Sequence, residues 1–278
     1  MTCDLSTGLC GPAESEQRVR VTYVTDPICS ACWAMEPAWR SARLRFGDTL
    51  DVQHVYGGLL PSWDGFADPA NGIHGYEDVA EHWREMAEHV GQATAVSVWA
   101  DDPILSSFPA SMVMTAVRLI DPEREESALR ALREQLFFHG RNIGRPEIWS
   151  AAVGVDPDLV AQKLADGSAK REFAADLGRA RALGVSGFPT LVVESGGDRF
   201  ALRGVQSPER LTAVLGALVG QVPDGRPREL AEAITTLGSG TTAEYAAVLD
   251  LPEQVLVAGL TDAGLRRIDL PGGAAWLS

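Results

Sequence analysis

A pair of cysteines at the start of a predicted helix restricts the fold of this chain more than any other feature. Residues 19–25 carry β-branched and aromatic side chains, which favour a buried strand. Cys29 and Cys32 follow and open the segment 29–47, where spaced apolar residues predict a helix. Residues 50–57 predict a second strand. A strand, a helix and a strand in this order form a βαβ unit with a CxxC sequence at the beginning of its helix.

The middle of the chain, residues 61–184, has a helical pattern of apolar residues, and helices are predicted over 76–90, 107–119, 123–139, 157–165 and 168–183. The segment 59–75 is rich in Gly, Pro, Asp and Asn and is predicted to be an ordered loop. Residues 185–206 predict a β-hairpin with a four-residue connection, and residues 207–220 predict a helix. This order predicts an α/β domain interrupted by a helical insertion.

The four cysteines all lie in the first 32 residues, which argues against a framework of structural disulfides. Thiol–disulfide exchange needs one thiolate that attacks and a second thiol that resolves the mixed disulfide. A CxxC sequence at a helix start supplies both, because the free N–H groups of the first turn favour the thiolate of the first cysteine. We therefore predict that Cys29 attacks and that Cys32 resolves. Pro37 falls inside the predicted helix and is expected to kink it.

Two motifs carry a resemblance to a known family. Residues 26–33 (DPICSACW) resemble the D-P-x-C-x-x-C-aromatic signature of thioredoxin-like proteins of the DsbA family. Residues 185–190 (VSGFPT) resemble that family's loop before the third strand, where the proline is cis. A helical insertion between the two motifs is also a feature of the family. The resemblance covers roughly residues 19–220 and is closest to the cytoplasmic branch, which includes FrnE-like oxidoreductases and YjbH-like adaptors.

This resemblance implies an α/β thioredoxin fold interrupted by a helical insertion. The tail of the chain is similar in its rhythm to a small winged-helix module, so a small C-terminal helical module is expected there. The predicted parts are a flexible N-terminal segment with Cys3 and Cys10 over 1–18, a thioredoxin-like domain over 19–60 and 185–220, the insertion over 61–184, and the module over 226–278.

The resemblance also implies a substrate site. In the DsbA family the cis proline lies against the active-site disulfide, and the residue before it contacts a bound peptide. By matching positions, Phe188 and Pro189 are candidate substrate-binding residues, together with Trp33 next to the cysteines. The dipeptide between the cysteines is Ser30-Ala31, whereas strongly oxidising periplasmic members carry Pro-His. Without that histidine the thiolate is less stabilised, and we expect a less oxidising couple suited to a reductase or isomerase.

Metal binding is the main alternative for the cysteines. Cys3, Cys10, Cys29 and Cys32 could offer four thiolates to a tetrahedral zinc ion. The C-x6-C spacing of the first pair is unusual and the second pair opens a helix after a strand, so we predict neither a metal nor a cofactor. Cys3 and Cys10 fit two interpretations equally. They form a second redox pair or metal-responsive pair, or they are two exposed thiols on a flexible tail.

Histidines and tryptophans of the insertion have simpler interpretations. His82 and His89 share a helical face but lie two turns apart, so a surface or structural role is favoured over a metal site for them and for His74. Three tryptophans are expected in the core or along a groove: Trp63, Trp83 and Trp99.

The charge of the chain excludes some partners. Its 278 residues include 38 acidic and 24 basic side chains, giving a formal net charge of -14 at pH 7, which repels nucleic acids and anionic membranes. Residues 225–278 carry four basic and seven acidic side chains, so packing or protein contact is favoured over DNA binding there. No stretch approaches the ~18 apolar residues of a membrane span, and the first residues show no secretory signal. We expect a cytoplasmic protein.

Thiol–disulfide oxidoreductase or isomerase activity on protein disulfides is the leading functional prediction. Its partners would be protein or peptide thiols and disulfides and a cellular reductant or oxidant. An adaptor that presents clients to a protease or partner is the second, because YjbH-like proteins also keep a CxxC sequence. A glutathione-linked isomerase of the kappa-transferase type is the third. The intact CxxC sequence weighs against it, since such enzymes usually carry serine at the first position.

Overall fold

The computed structural model describes residues 18–278 and, in addition, the backbone of two short strands, β1 (Thr2–Cys3) and β2 (Cys10–Gly11), which pair antiparallel. The predicted flexibility of 1–18 and the alternatives for the thiols of Cys3 and Cys10 lie outside the described residues and stay predictions.

The central sheet has four strands in the order β4-β3-β5-β6. These strands are β3 (Val19–Thr25), β4 (Leu50–Tyr56), β5 (Thr190–Ser195) and β6 (Asp198–Arg203). β3 runs parallel to β4 and antiparallel to β5, and β5 and β6 form a hairpin. β3 lies inside the sheet, where its β-branched side chains are covered by packing on both faces. The predicted α/β fold with a helical insertion is confirmed.

The hairpin connection is shorter than the predicted four residues. Ser195 pairs with Asp198, so the loop consists of Gly196 and Gly197 alone. Both glycines have positive φ angles, 61° and 94°. A two-residue hairpin turn requires such angles, and glycine adopts them without a steric penalty.

The α-helices follow one another as α1 (Ser30–Ala34), α2 (Glu36–Phe46), α3 (Tyr76–Val90), α4 (Val98–Asp101), α5 (Phe108–Ile120), α6 (Glu125–Phe137), α7 (Pro146–Ala152), α8 (Pro157–Ala165), α9 (Ser168–Ala182), α10 (Pro208–Val219), α11 (Leu230–Leu237), α12 (Thr242–Leu249) and α13 (Glu253–Asp262). The five helices predicted in the insertion are present as α3, α5, α6, α8 and α9. The sequence does not indicate α4 and α7, because four and seven residues are too few for a helical period to show. Over residues 18–278, no helix combines the length and the apolar composition needed to cross a membrane.

The helix after Cys29 is broken where the sequence predicts a kink. α1 ends at Ala34, and α2 begins at Glu36 with Pro37 in its first turn. Proline has no N–H group to donate, so a helix tolerates it best in the first turn. The break at Met35 puts Pro37 in that position and leaves the short α1 behind the cysteines.

The insertion has a core of aromatic side chains that reaches the cysteine helix. Trp83 packs edge-on against Trp99, with 5.1 Å between ring centroids, and lies 4.9 Å from Phe137. Phe137 in turn stacks on Trp33 of α1 at 4.9 Å. These side chains therefore form a continuous core from α3 through α6 to α1, and this core packs α1 against the insertion.

The C-terminal module combines α11, α12 and α13 with a second sheet. Its strands are β7 (Gly240–Thr241), β8 (Arg266–Leu270) and β9 (Gly273–Leu277), in the antiparallel order β7-β9-β8. Tyr245 and Trp276 are buried in its own core. Three helices and a small sheet agree with the predicted winged-helix-like module. α12 packs on α2, where the Ser41 hydroxyl donates to the carbonyl of Ala247 at 2.9 Å.

Candidate active site

Cys29 and Cys32 lie at the beginning of α1, as the sequence predicts. Cys29 is the N-cap residue with an extended backbone (φ -72°, ψ 114°), and its Sγ accepts a hydrogen bond from the N–H of Cys32 at 3.2 Å. Both side chains are free thiols. Cys29 is 4% exposed and Cys32 is 0% exposed. Disulfide exchange needs one thiol that a substrate can reach and a second thiol behind it, and Cys29 is the more exposed of the two.

The surroundings of the two thiols shift their pKa values in opposite directions. The hydrogen bond with Cys32 and burial raise the pKa of the Cys29 thiol well above its usual value. At Cys32 burial also raises the pKa, but the hydrogen bond from Cys29 and the charge of Arg133 outweigh burial and lower it. Of the two thiols, Cys32 is therefore the more readily ionised, whereas the sequence-based expectation gives that property to Cys29.

Asp26 is a fully buried carboxylate directly before the cysteine turn. Its Oδ2 accepts hydrogen bonds from the N–H of Leu59 at 2.8 Å and from the hydroxyl of Ser107 at 2.9 Å. Its Oδ1 accepts from the N–H of Ile28 at 3.1 Å. Burial raises the pKa of Asp26 to about 6 in spite of these hydrogen bonds. The carboxylate ties the cysteine turn to the loop after β4 and to the start of α5, a role that the D-P sequence alone does not show.

Asp26→Asn is expected to stabilise the protein above pH 6 and to have little effect at pH 4. The pKa of Asp26 rises on folding from 3.8 to about 6, so between these values the folded state holds a proton that the unfolded state has lost. The free energy of unfolding therefore falls as the pH rises through this window, by about 3 kcal/mol for a shift of this size. Asparagine carries no charge, so the variant avoids the free-energy cost of the buried carboxylate. Part of this gain is offset because asparagine makes weaker hydrogen bonds.

Urea unfolding of the Asp26→Asn variant at pH 4 and pH 7.5 measures this effect. The exposed Asp48→Asn variant is the control, and its free energy of unfolding should stay close to that of the wild type. An equal change at both pH values in Asp26→Asn would show that the charge of Asp26 is not the cause.

The peptide bond between Phe188 and Pro189 is cis, as the resemblance implies. Pro189 is buried, and its carbonyl accepts a hydrogen bond from the N–H of Gly204 at 2.8 Å. The ring of Phe188 is half-buried and lies very close to Gly57. A Cβ atom at position 57 would stand 2.1 Å from carbons of this ring. The observed position of the Phe188 ring therefore requires glycine at position 57.

A cavity of about 460 Å³ opens beside Cys29, and we call it the Cys29 cavity. Residues 28–31 line it on one side and residues 186–188 on another. The loop after β4, together with α3 and α4, supplies further lining. Apolar and aromatic side chains dominate this part: Leu59, Leu60, Trp63, Phe66, Trp83 and Trp99. The cavity can therefore receive an extended, largely apolar molecule next to the sulfur of Cys29.

The structure separates the three predicted substrate-binding residues. Phe188 lines the Cys29 cavity, and Pro189 is buried directly after it. Trp33 is 1% exposed, stacks on Phe137 and donates its indole N–H to the carbonyl of Ala93 at 2.9 Å. Trp33 therefore belongs to the core and does not line the cavity, which corrects the prediction that it contacts substrate.

Arg133 and Glu36 form a buried ion pair near the cysteines that the sequence does not predict. Arg133 is 1% exposed and donates to the hydroxyl of Thr25 at 2.6 Å and to the carbonyl of Asp26 at 3.3 Å. Arg133 stands 108 positions after Thr25 in the chain, and no motif marks it. The charge of its guanidinium group acts on the thiol of Cys32.

A metal site is not seen in the part of the chain that the structure describes. Over residues 18–278, no group of three or more His, Cys, Asp or Glu side chains is arranged to hold a metal ion. His82 lines the Cys29 cavity, whereas His74 and His89 are exposed. The four-thiolate alternative includes Cys3 and Cys10, whose side chains lie outside the described residues.

A four-stranded mixed sheet, a CxxC sequence at a helix start and a cis proline between the helical insertion and β5 define a thioredoxin-fold dithiol protein. A family model described as Thioredoxin matches residues 23–207. The chain therefore belongs to the thioredoxin family.

The similar proteins include sequence relatives named as adapter proteins and a solved structure named as a disulfide reductase. The ClpXP adapter protein SpxH of Halalkalibacterium halodurans is 29% identical over 170 residues, which cover 60% of this chain and 56% of that protein. The ClpXP adapter protein SpxH of Shouchella clausii is 27% identical over 269 residues, which cover 91% of this chain and 87% of that protein. The solved structure of the cytosolic disulfide reductase DsbM from Pseudomonas aeruginosa has a TM-score of 0.57 and 21% identity, covering 71% of this chain and 97% of that chain. The structural likeness establishes the fold.

Proposed function

We propose that this chain is a thiol–disulfide oxidoreductase or isomerase that acts on protein or peptide disulfides through Cys29 and Cys32. One observation carries the proposal. The N–H of Cys32 holds the sulfur of Cys29 at the wall of the Cys29 cavity, which Phe188 also lines. The dithiol supplies the electrons for reduction, so the reaction needs no bound cofactor.

The proposed cycle has two steps. The Cys29 thiolate attacks one sulfur of the substrate disulfide, whose S–S bond breaks; a mixed disulfide forms and the other substrate sulfur leaves as a thiolate. The Cys32 thiolate then attacks the sulfur of Cys29, the bond between Cys29 and the substrate breaks, the attached substrate sulfur leaves as a thiolate, and the Cys29–Cys32 disulfide forms. The dithiol loses two electrons and the substrate gains them. A cellular dithiol or glutathione reductant restores the reduced pair.

The proposed reaction is the reduction or isomerisation of disulfides, and its proposed location is the cytoplasm. The dipeptide Ser30-Ala31 lacks the histidine of the strongly oxidising relatives. The fold is shared with a solved protein named as a cytosolic disulfide reductase, which supports the same assignment here.

Gly57→Ala is expected to raise the KM for a peptide disulfide about tenfold or more, because the added Cβ atom pushes the Phe188 ring out of the cavity wall. Gly178→Ala is the control. Gly178 is exposed on α9 and does not line the Cys29 cavity, and nothing lies within 4 Å of a Cβ atom added there. Steady-state kinetics with both variants compare the KM values. Equal KM values in the two variants would remove the support for Phe188 as a substrate contact.

Equilibration in glutathione buffers of graded potential tests the proposed function. The fraction of Cys29–Cys32 disulfide is measured by alkylation of the free thiols and mass spectrometry of the peptide that carries both cysteines. We expect one reversible two-electron transition in the wild type. The Cys29→Ser variant cannot form the internal disulfide and should show none. A wild-type dithiol that never forms the internal disulfide would refute the proposed function.

An adaptor role is the second candidate, and the sequence relatives favour it. Both aligned relatives are named ClpXP adapter proteins, and one alignment covers 91% of this chain, which extends it beyond the thioredoxin-like part. An adaptor binds its client without consuming thiols. Two results together would favour the adaptor role over the enzyme. The Cys29→Ser variant would stimulate ClpXP-dependent degradation of a client as well as the wild type does. The wild type would show no disulfide exchange.

A further inference from the structure

The turn of the β8–β9 hairpin lies against the end of α3. The N–H of Thr94 donates to the carbonyl of Pro271, in this turn, at 3.0 Å. Gly272 follows, and a Cβ atom at its position would stand within 2.7 Å of backbone atoms of Ala87 and Gln92. The hairpin therefore touches the backbone so closely that only glycine fits, and it determines where residues 92–95 run after α3.

The hairpin is also part of the core of the insertion. Ala275 of β9 is 0% exposed and belongs to the same core as Trp33. Ile268 and Leu270 of β8 pack against that core. The C-terminal module is therefore continuous with the core that packs α1 against the insertion.

Side-chain hydrogen bonds join the same segment to α12 and to the residue before it. The hydroxyl of Thr241 donates to Oε1 of Gln92 at 2.8 Å, and the amide group of Gln92 donates to Glu244 at 3.4 Å. Gln92 is 1% exposed, so water does not compete for these hydrogen bonds. The module thus holds the segment after α3 by its backbone and by a buried side chain.

Residues 92–95 in turn hold Trp33. The indole N–H of Trp33 donates to the carbonyl of Ala93 at 2.9 Å. The N–H of Ala95 donates to the carbonyl of Phe137 at 2.7 Å, and the ring of Phe137 stacks on Trp33. The segment that the module holds therefore fixes both the polar edge of the Trp33 ring and the residue that covers its face.

A second route from the module reaches the same tryptophan. The guanidinium group of Arg130 lies over the Trp33 ring, 4.9 Å from its centroid. Arg130 is paired with the buried carboxylate of Glu244 in α12. Two separate contacts of the module thus end on one side chain, next to Cys32.

α1 depends on these contacts because it is short. A helix of five residues is not stable by itself, since its nucleation costs more than one turn of hydrogen bonds returns. Trp33 directly follows Cys32, and its N–H donates to the carbonyl of Cys29 at 3.0 Å. The same turn contains the hydrogen bond from the N–H of Cys32 to the sulfur of Cys29. The position of Trp33 therefore sets the geometry of the dithiol.

We propose that the β8–β9 hairpin is a positioning element of the active site, which holds the dithiol in its reactive geometry through residues 92–95 and Trp33. The inference rests on the proposed function and gives the C-terminal module a part in disulfide exchange. Neither residues 92–95 nor residues 226–278 line the Cys29 cavity, so the hairpin acts on the dithiol and not on the binding of substrate.

The redox equilibrium with glutathione reports on this geometry. Oxidised glutathione takes two electrons from the dithiol: its S–S bond breaks, the Cys29–Cys32 bond forms, and two glutathione thiols are released. Hydrogen bonds to an ionised acceptor are stronger than those to a neutral one. The N–H of Cys32 therefore favours the dithiol, which can ionise, over the disulfide, which cannot. Loosening α1 weakens this hydrogen bond and shifts the equilibrium towards the disulfide.

Gly272→Ala separates the hairpin from α3, and Gly264→Ala is the matched control. Both glycines belong to the module and have nearly equal φ angles, 79° and 80°, so alanine costs similar backbone strain at either position. At position 264 nothing lies within 4 Å of the added Cβ atom. In a Cys3→Ser/Cys10→Ser background, we expect Gly272→Ala to raise the equilibrium constant for oxidation by glutathione about fivefold, the effect of one typical hydrogen bond. Gly264→Ala should leave it unchanged.

Hydrogen exchange measures the effect on α1 directly. Mass spectrometry of the peptide that carries Cys29, Cys32 and Trp33 should show faster exchange in Gly272→Ala than in Gly264→Ala, with the exchange of β3 unchanged. Gln92→Met cuts the side-chain link to the module and keeps a side chain of similar size. It should change the equilibrium constant and the exchange of α1 in the same direction as Gly272→Ala does.

Trp33→Phe tests the last step of the route, because it removes the indole donor and keeps an aromatic ring in the core. Trp39→Phe is its control, since Trp39 is a similarly buried residue of α2 whose indole donates to Glu126 instead. We expect the effects of Gly272→Ala and Trp33→Phe on the equilibrium constant to be non-additive, because both act through the same contact. The double variant should differ little from either single variant.

The outcomes distinguish this inference from the proposed function, and urea unfolding shows which variants are folded. A wild type without a reversible transition in glutathione buffers refutes the proposed function. A folded Gly272→Ala variant with the equilibrium constant and the α1 exchange of Gly264→Ala overturns the positioning role of the hairpin. Wild-type values in Gln92→Met overturn it if Gly272→Ala does not fold. Additive effects of Gly272→Ala and Trp33→Phe overturn the route through Trp33.

Discussion

Serine in place of Cys29 is expected to reduce the rate of insulin disulfide reduction to that of the reductant alone. Cys29 lines the Cys29 cavity and is 4% exposed, whereas Cys32 is 0% exposed and cannot reach a substrate. A serine hydroxyl is not ionised near neutral pH and does not attack a disulfide, so the first step of the cycle stops. The precipitation of reduced insulin, followed by turbidity in the presence of dithiothreitol, measures the rate.

The matched variant Cys32→Ser is expected to behave differently. Cys29 still attacks, but nothing inside the protein resolves the mixed disulfide, so protein linked to substrate accumulates. Urea unfolding of both variants shows whether each is folded as the wild type. A folded Cys29→Ser variant with the wild-type rate would show that another thiol carries the reaction.

Glu244→Ala is expected to destabilise the protein by about 3–5 kcal/mol. Glu244 is 0% exposed, and its carboxylate accepts hydrogen bonds from Arg40 at 2.8 Å, from Arg130 at 2.5 Å and from the N–H of Thr241 at 3.1 Å. Its loss leaves two largely buried guanidinium groups without their shared counter-charge and opens the capping box of α12. It also removes one of the contacts that join the C-terminal module to α2 and to α6.

Urea unfolding at pH 7 measures the loss in Glu244→Ala. Glu253→Ala is the matched control, because Glu253 is an exposed glutamate of the same module and should change the free energy of unfolding by less than about 0.5 kcal/mol. Similar values for the two variants would show that the buried ion pairs of Glu244 add nothing to stability.

Acid is expected to remove the contribution of Glu244 to the free energy of unfolding. Burial alone raises the pKa of Glu244, but the charges of Arg130 and Arg40 outweigh burial and lower it from 4.5 to about 2. Because the folded pKa lies below the unfolded value, the stabilisation is complete above about pH 4.5 and is lost as the pH falls towards 2. The unfolding free energies of the wild type and of Glu244→Ala should therefore converge over this range. A constant difference down to pH 2 would contradict the assignment.

Elements with a strong local pattern could be predicted from the sequence. The strand predicted over 19–25 is Val19–Thr25, and the helix predicted over 76–90 is Tyr76–Val90. The strand owes its clarity to β-branched side chains, and the helix to an apolar stripe that ends at Gly91, which has a positive φ angle. The short helices α4 and α7 have no such stripe, since tertiary packing alone stabilises them.

The dithiol itself could be predicted, because its motif is local, but its surroundings could not. Asp26 accepts from Ser107, 81 positions away, and Arg133 donates to Thr25 across 108 positions. Contacts of this range depend on how α5 and α6 pack on the sheet, and no spacing in the sequence encodes that packing. Trp33 is another residue whose position depends on a distant contact. Its place next to Cys32 in the sequence suggests a surface contact, but its ring stacks on Phe137 in the core.

The identity of the cysteine that becomes linked to a substrate tests the central claim most directly. The Cys32→Ser variant is mixed with a peptide disulfide, quenched in acid, digested and mapped by mass spectrometry. We predict a single adduct, on the fragment that carries Cys29. An adduct on Cys3 or Cys10 instead, or no adduct at all, would contradict the claim that Cys29 is the nucleophile of a disulfide-exchanging enzyme.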